Sequence, residues 1–218
     1  MNNFCITAFM DLMETLPVKE IKIAYLGEVT PIKNFEVVSK YYEKWGIKKP
    51  PLDVIKLFHL CNLDVDIFSD LEEVYDCKDE YDVVFNCKFS IKSFDQSSIF
   101  DKINDMTKDH GLILNCVPWC TMVEEGFYSY QPEFFNYICA KYNYYPHKRV
   151  LGTESAKFYY DFDYTSEGFA GSEFETMTGN LFYEYFPSKA WLERTYIATV
   201  FQKASAKEEE QEDVQEDD

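Results

Sequence analysis

Gly27, Asp66 and Asn86 each lie at or near the end of a short apolar run, where a folded chain can expose groups that bind a ligand. A carboxylate at the end of a buried strand can accept hydrogen bonds from two neighbouring hydroxyl groups. A glycine has no Cβ, so it lets backbone N–H groups approach a ligand closely. Both residues also have plainer alternatives, because Asp66 could cap the segment that follows it and Gly27 could serve an ordinary turn after a strand.

Two further side chains could take a proton from a substrate. Lys92 could act as a base only if burial kept it uncharged, and Glu125 carries a carboxylate of the right type. A solvated side chain is the alternative for both. The segment that contains Asp161, Asp163 and Glu167 lacks the glycine and the ligand spacing of a calcium loop, so no metal site is predicted there.

The elements that must position these residues centre on residues 81–117. The run 81–86 has β-branched residues at its centre and predicts a strand buried on both faces. A helical pattern of apolar residues follows over 99–106 and is predicted to stop at 109–111, which ends in a glycine. Residues 112–117 predict a second buried strand. Strand, helix and strand form a βαβ unit, which requires a parallel pair and a right-handed crossover.

Helical and strand-like patterns alternate through the rest of the chain. The predicted helices cover 3–15, 35–45, 52–61 and 132–142, and the predicted strands cover 21–27, 63–67, 147–152, 182–186 and 195–201. The sequence predicts one α/β domain over residues 1–204. Residues 205–218 form an acidic tail, which its composition predicts to be disordered.

The segment 80–146 resembles the C-terminal half of class I S-adenosylmethionine (SAM)-dependent methyltransferases. The resemblance rests on the order of YDVVFN, then FDQSSIFDKINDMTKDHGLILNCVPW, then EGFYSYQPEFFNYICAKYNYYP, and the run 195–201 resembles the last, antiparallel strand of that family. It implies a three-layer, Rossmann-like fold with a mostly parallel sheet and an antiparallel C-terminal strand. Four histidines of the family pattern are replaced here, by Ser93, Asn104, Asn115 and Glu125.

The resemblance also implies a cofactor and a set of site residues. SAM would be the cofactor, with Asp66 on the ribose and Asp76 on the adenine amino group. The implied cofactor-binding set is Gly27, Glu28, Asp66, Asp76, Asn86 and Phe89, and the residues implied to line the acceptor pocket are Phe127, Tyr128 and Tyr130. For these three aromatic residues, core packing is an equal alternative. The implied substrate is a small molecule, such as a sugar or a nucleotide sugar, and the lost histidines favour the alternative of a non-catalytic binding or assembly protein.

The net charge limits the classes of partner, and the cysteine pattern and the N-terminus indicate the cellular compartment. The net charge is −18, and an acidic surface repels phosphate groups, so nucleic acid and anionic membranes are not expected as partners. The seven cysteines include no C-x-x-C pair, and the apolar N-terminus lacks a basic stretch. These features predict reduced thiols and a cytoplasmic protein without a membrane span. The oligomeric state is left open.

Overall fold

A computed structural model describes residues 2–16, 21–27, 63–70, 72–74, 76–120, 126–154, 159–162 and 194–205. Several sequence predictions lie outside these residues or concern side chains that the structure does not describe. They are the helices at 35–45 and 52–61, the strand at 182–186, the side chains of Glu28, Glu125, Asp161, Asp163 and Glu167, and the tail from residue 206.

Seven described strands form one sheet in the order β2-β1-β3-β4-β7-β5-β6. Strands β1 to β4 run parallel to one another, whereas β7 lies antiparallel between β4 and β5, and β6 is antiparallel to β5. The bounds are β1 (Lys22–Leu26), β2 (Asp64–Phe68), β3 (Tyr81–Cys87), β4 (Thr107–Cys120), β5 (Tyr144–Thr153), β6 (Tyr159–Phe162) and β7 (Thr195–Lys203). The predicted mostly parallel sheet with an antiparallel C-terminal strand is therefore confirmed.

Three α-helices are described, and local capping explains where they begin. Helix α1 (Asn3–Thr15) starts where the Asn2 side chain accepts a hydrogen bond from the N–H of Cys5. Helix α2 (Gln96–Met106) is capped in the same way by Asp95, and α3 (Pro132–Tyr142) has a proline in its first turn and ends at Asn143 with a φ of 52°. Short 3-10 helices cover Glu72–Val74 and Ser90–Lys92.

The helices cover both faces of the sheet, which makes the domain three-layered. Helix α1 packs on one face, where the rings of Phe9 and Phe85 stack with centroids 5.3 Å apart. Helices α2 and α3 pack on the other face, where Phe135 lies 6.0 Å from Phe201 of β7. Because apolar side chains of the central strands alternate between these two clusters, those strands are buried on both sides.

The βαβ unit forms as predicted, but its helix ends earlier than the sequence pattern indicates. Helix α2 ends at Met106 and β4 begins at the next residue. At this point the Lys203 ammonium on β7 donates to the carbonyl oxygens of Asn104 and Thr107 at 2.9 and 2.7 Å, and the backbone N–H of Glu80 donates to the carbonyl of Met106 at 3.1 Å. Gly111 instead belongs to an irregularity in β4, where the pairing with β3 shifts register. A Cβ on Gly111 would lie 2.8 Å from the carbonyl oxygen of Lys108, so this close approach requires a glycine.

The five cysteines whose side chains the structure describes are free thiols, and three of them are buried: Cys5, Cys87 and Cys116. Among the described residues, no His, Cys, Asp and Glu side chains gather in a group that could hold a metal ion. No helix in the described part of the chain is both long and apolar enough to cross a membrane.

Candidate functional site

The centre of the candidate site is the point where the strand order reverses, at the carboxyl ends of β1 and β3. The chain passes from β1 to β2 on one side and then to β3 on the other. In open doubly wound sheets, ligands bind in the crevice at this switch point. Gly27 follows β1 there with a φ of +147°, and a Cβ on it would lie 2.4 Å from the carbonyl oxygen of Cys87 at the end of β3. The glycine is therefore required by the close approach of two strand ends, and its own N–H donates to the carbonyl of Phe68 at 3.0 Å.

Asp66 lies in the middle of β2, two residues before the end of the strand, whereas the sequence predicts it near the strand's end. Its carboxylate accepts a hydrogen bond from the Tyr81 hydroxyl at 2.8 Å and lies 3.5 Å from the Lys22 ammonium. Burial raises the pKa of Tyr81, and the hydrogen bond to Asp66 raises it further, so this hydroxyl remains a donor. In this structure the Asp66 carboxylate links β2 to the first residues of β1 and β3.

Asn86 is fully buried, and its side chain makes three hydrogen bonds inside the domain. Its amide nitrogen donates to the Ser90 hydroxyl and to the Asn115 side-chain oxygen, both at 3.0 Å. Its amide oxygen accepts from the backbone N–H of Ser90 at 3.2 Å. These bonds fix the turn after β3 and join β3 to β4, so both amide hydrogens are already used within the protein.

The Asn86 bonds belong to a row of buried polar residues that crosses the sheet beneath α2 and α3. Asn86, Asn115, Thr199 and Arg149 are register partners on β3, β4, β7 and β5, and all four are fully buried. The Asn115 amide donates to the Thr199 hydroxyl at 3.3 Å, and the Arg149 guanidinium donates to the Asn136 side chain on α3 at 2.9 Å. Sequence reasoning did not identify this row, although Asn86, Asn115 and Thr199 each interrupt an apolar strand pattern.

The remaining predicted cofactor residues lie apart from this row. Phe89 is half-buried beside the 3-10 turn Ser90–Lys92 and packs against the apolar cluster under α2. Asp76 is exposed between Glu72–Val74 and β3, and Lys92 is exposed at the end of its turn. The structure thus brings Gly27 and Asn86 to the ends of adjacent strands and leaves Asp76 and Lys92 at the surface.

The three aromatic residues predicted to line an acceptor pocket have different environments. Phe127 is 57% exposed and stacks on Phe94, which is 74% exposed, with ring centroids 4.0 Å apart. Tyr128 is half-buried, and its hydroxyl donates to the carbonyl of Phe94 at 3.1 Å. Tyr130 is buried and donates to the Gln96 side chain at 2.5 Å, so it belongs to the core. Burial raises the pKa of its hydroxyl, which keeps Tyr130 protonated at neutral pH.

A group of buried thiols lies on the opposite face, near the same ends of β3 and β4. Cys87 and Cys116 are register partners on these strands, and Cys5 on α1 approaches both of them. Burial, and then the hydrogen bond with Cys116, raise the pKa of Cys5, while the hydrogen bond to Cys5 and then burial raise that of Cys87. A thiol needs a lowered pKa to act as a nucleophile at neutral pH, so these three side chains are packing groups.

No protein-family model and no curated protein matches the chain. Several solved structures of methyltransferases are similar to it over most of its length. The 1,6-didemethyltoxoflavin N1-methyltransferase of Burkholderia thailandensis, with 1,6-didemethyltoxoflavin and S-adenosylhomocysteine bound, is 9% identical over 91% of this chain and 76% of its own, with a TM-score of 0.48. A SAM-dependent methyltransferase of Thermotoga maritima is 11% identical over 92% and 89%, with a TM-score of 0.46.

The phosphoethanolamine N-methyltransferase 2 of Haemonchus contortus, in complex with phosphomonomethylethanolamine and S-adenosylhomocysteine, is 12% identical over 92% of this chain and 53% of its own, with a TM-score of 0.47. At such identities and TM-scores, the likeness does not extend to the chemistry of the site. The strand order of the described sheet is what establishes the three-layer, doubly wound fold of this chain.

Proposed function

We propose that the chain is a SAM-dependent methyltransferase that acts on a small molecule. The observation that carries this proposal is the position of Gly27 at the switch point of the sheet, where the ends of β1 and β3 meet. A ligand in this crevice would contact the loops that follow both strands. The sequence resemblance over residues 80–146 supports SAM as that ligand, because this segment supplies β3 and β4, whose carboxyl ends face the crevice in a doubly wound sheet.

The proposed cofactor contacts follow the residue types of β2 and of the segments after β1, β2 and β3, and Asp66 would have to reach the cofactor from the middle of β2. Asp66 would accept hydrogen bonds from the ribose hydroxyls, and Asp76 would accept one from the adenine amino group. Gly27 and Glu28 would present backbone to the methionine part, and the loop from Asn86 to Phe89 would cover the adenine. For Asp66 to take this role, its carboxylate must share its lone pairs between Tyr81 and the ribose.

Methyl transfer from a sulfonium is an in-line displacement, so the protein must hold the acceptor atom on the axis of the breaking bond and, for some acceptors, remove a proton. Glu125 and Lys92 are the candidates for the base. The proposed acceptor is a sugar or a nucleotide sugar. These two acceptors differ in shape, because a nucleotide sugar carries a flat base and a simple sugar does not.

A non-catalytic binding or assembly protein is the second candidate, and the hydrogen bonds at the site favour it. The Gly27 N–H, both hydrogens of the Asn86 amide and the Asp66 carboxylate all have partners within the domain. A cofactor would have to replace or share these bonds. Three of the four residues that replace the family's histidines are described, and the side chains of all three, Ser93, Asn104 and Asn115, make hydrogen bonds within the domain.

Calorimetric titration of the full chain with S-adenosylhomocysteine tests the proposal. We expect one site, and we expect Asp66→Asn to weaken it by about 10- to 100-fold, because a hydrogen bond to a charged group contributes about 1.5–3 kcal/mol. Glu80→Gln is the matched control, since Glu80 also pairs with Lys22 but has no proposed contact with the cofactor.

Binding that is weakened in Asp66→Asn and unchanged in Glu80→Gln would support the cofactor site. Absence of heat and of any thermal shift in the wild-type protein would refute the methyltransferase and leave the non-catalytic protein. Equal binding by the wild type and Asp66→Asn would refute the assignment of Asp66 alone.

A further inference from the structure

Two phenylalanine rings at the surface of the domain stack on each other and are exposed to solvent. Phe94 is 74% exposed and Phe127 is 57% exposed, their ring centroids are 4.0 Å apart, and their planes differ by 22°. Phe94 remains this exposed although Phe127 covers one of its faces, so its outer face is open to solvent. Single apolar residues are common on protein surfaces, but a stacked and exposed pair forms a contiguous apolar surface.

The backbone on which this pair stands is fixed by the surrounding structure. The N–H of Phe127 donates to the carbonyl of Ile91 at 2.7 Å, and the Tyr128 hydroxyl donates to the carbonyl of Phe94 at 3.1 Å. Gly126 packs so closely that a Cβ on it would lie 2.6 Å from the Ile91 side chain. These contacts join the segment before α3 to the turn after β3, so the two rings are held together without being buried.

The pair lies on chain segments that leave the carboxyl edge of the sheet. Phe94 comes between β3 and α2, and Phe127 comes between β4 and α3. Both strands are central and parallel, and in doubly wound sheets their carboxyl ends face the ligand crevice. The rings therefore belong to the rim on which an acceptor would lie.

The geometry of the pair selects the shape of the ligand. Cages that bind ammonium groups surround the cation with ring faces at several angles, whereas these two rings are nearly parallel. A parallel stack is extended best by a third flat ring. We propose that Phe94 and Phe127 form a platform for a flat, unsaturated ring of the methyl acceptor. This inference rests on the proposed function, which makes the bound molecule a methyl acceptor. The base of a nucleotide sugar meets this requirement, and a simple sugar does not.

The platform is tested on the full chain by saturation-transfer NMR with two matched probes, benzamide and cyclohexanecarboxamide. These molecules carry the same polar group on a flat and on a puckered ring. We expect transfer to benzamide and little to cyclohexanecarboxamide or to methyl α-glucoside. Phe94→Ala and Phe127→Ala should weaken benzamide binding by about fivefold or more. Tyr137→Ala removes another exposed ring, on α3, and should leave the binding of benzamide unchanged.

Both phenylalanine variants retain the backbone groups that make the local hydrogen bonds, so they should fold. Equal benzamide signals in the wild type and in both Phe variants would overturn the platform, and so would equal transfer to the flat and the puckered probe. The experiment needs no cofactor, so its outcome is separate from that of the S-adenosylhomocysteine titration. If the titration fails and the platform binds benzamide, the flat-ring site stands and only its description as an acceptor site falls.

Discussion

Replacing Asn86 with alanine should destabilise the domain strongly, because this side chain completes buried hydrogen bonds on two elements. The substitution takes a partner from three fully buried groups. The backbone N–H of Ser90 and the side-chain oxygen of Asn115 lose it outright, whereas the Ser90 hydroxyl can rotate toward another group. Each buried polar group that loses its partner costs about 1–3 kcal/mol, so the free energy of unfolding should fall by about 2–6 kcal/mol. A domain of this size is stable by about 5–15 kcal/mol, so the variant should remain folded at low temperature.

Urea unfolding at 15 °C and pH 7, followed by far-UV circular dichroism, measures this loss. Asn104→Ala is the matched control, because Asn104 is half-buried and its side chain accepts one hydrogen bond, from the Tyr144 hydroxyl at 3.1 Å. We expect this control to lose no more than about 1 kcal/mol. If Asn86→Ala lost no more than the control, the buried row would not be a stabilising network.

A double-mutant cycle sharpens the test. Asn115→Ala removes the same hydrogen bond from the other side, so the double variant should be less destabilised than the sum of the two single variants. Strict additivity would mean that Asn86 and Asn115 do not interact energetically. The reasoning about the row across β3 and β4 would then be refuted even if each single variant were destabilised.

Two further predictions concern the strand ends. Gly27→Ala should lower the free energy of unfolding by about 1–3 kcal/mol, because Gly27 has a φ of +147° and its added Cβ would lie 2.4 Å from the Cys87 carbonyl, and a thermal melt identical to the wild type would contradict this. Asp82→Asn should reduce the amount by which the free energy of unfolding falls between pH 7 and pH 3. Burial raises the pKa of Asp82, but hydrogen bonds from Lys108 and the Lys22 backbone outweigh it and hold the pKa below 3.8. The resulting stabilisation is present above about pH 4 and is lost as the pH falls through the lowered pKa. It is at most about 1 kcal/mol because the pair is partly exposed. Urea midpoints at pH 7 and pH 3 measure it, and parallel losses in the wild type and the variant would contradict it.

The boundaries of most described elements could be predicted from the sequence, because local patterns determine them. Helix α1 covers the predicted residues 3–15, and α3 covers 132–142. The end of α2 could not be predicted, since the groups that bind its last carbonyls come from elsewhere in the chain, among them the ammonium of Lys203, almost a hundred residues further along. Gly111 gave a helix-stop signal in the sequence, whereas in the fold it serves the irregularity in β4.

The candidate site was only partly predictable, because hydrogen-bond partners depend on strand order. Asp66 was expected near the end of its strand, and nothing local indicates that the hydroxyl of Tyr81 reaches it from another strand. The exposure of the Phe94 ring was not predicted, because a phenylalanine is more often buried than exposed to solvent.

The amino-acid sequence by itself determined most of the described strands and helices, although not β6, and the alternation that produces a doubly wound sheet, because hydrophobic period and capping act over a few residues. Only the tertiary structure decided what the polar residues do. Register across β3, β4, β7 and β5 aligned Asn86, Asn115, Thr199 and Arg149 in one buried row, and loop packing brought Phe94 to Phe127. These contacts join residues far apart in the chain, so they exist only once the strands have taken their order in the sheet.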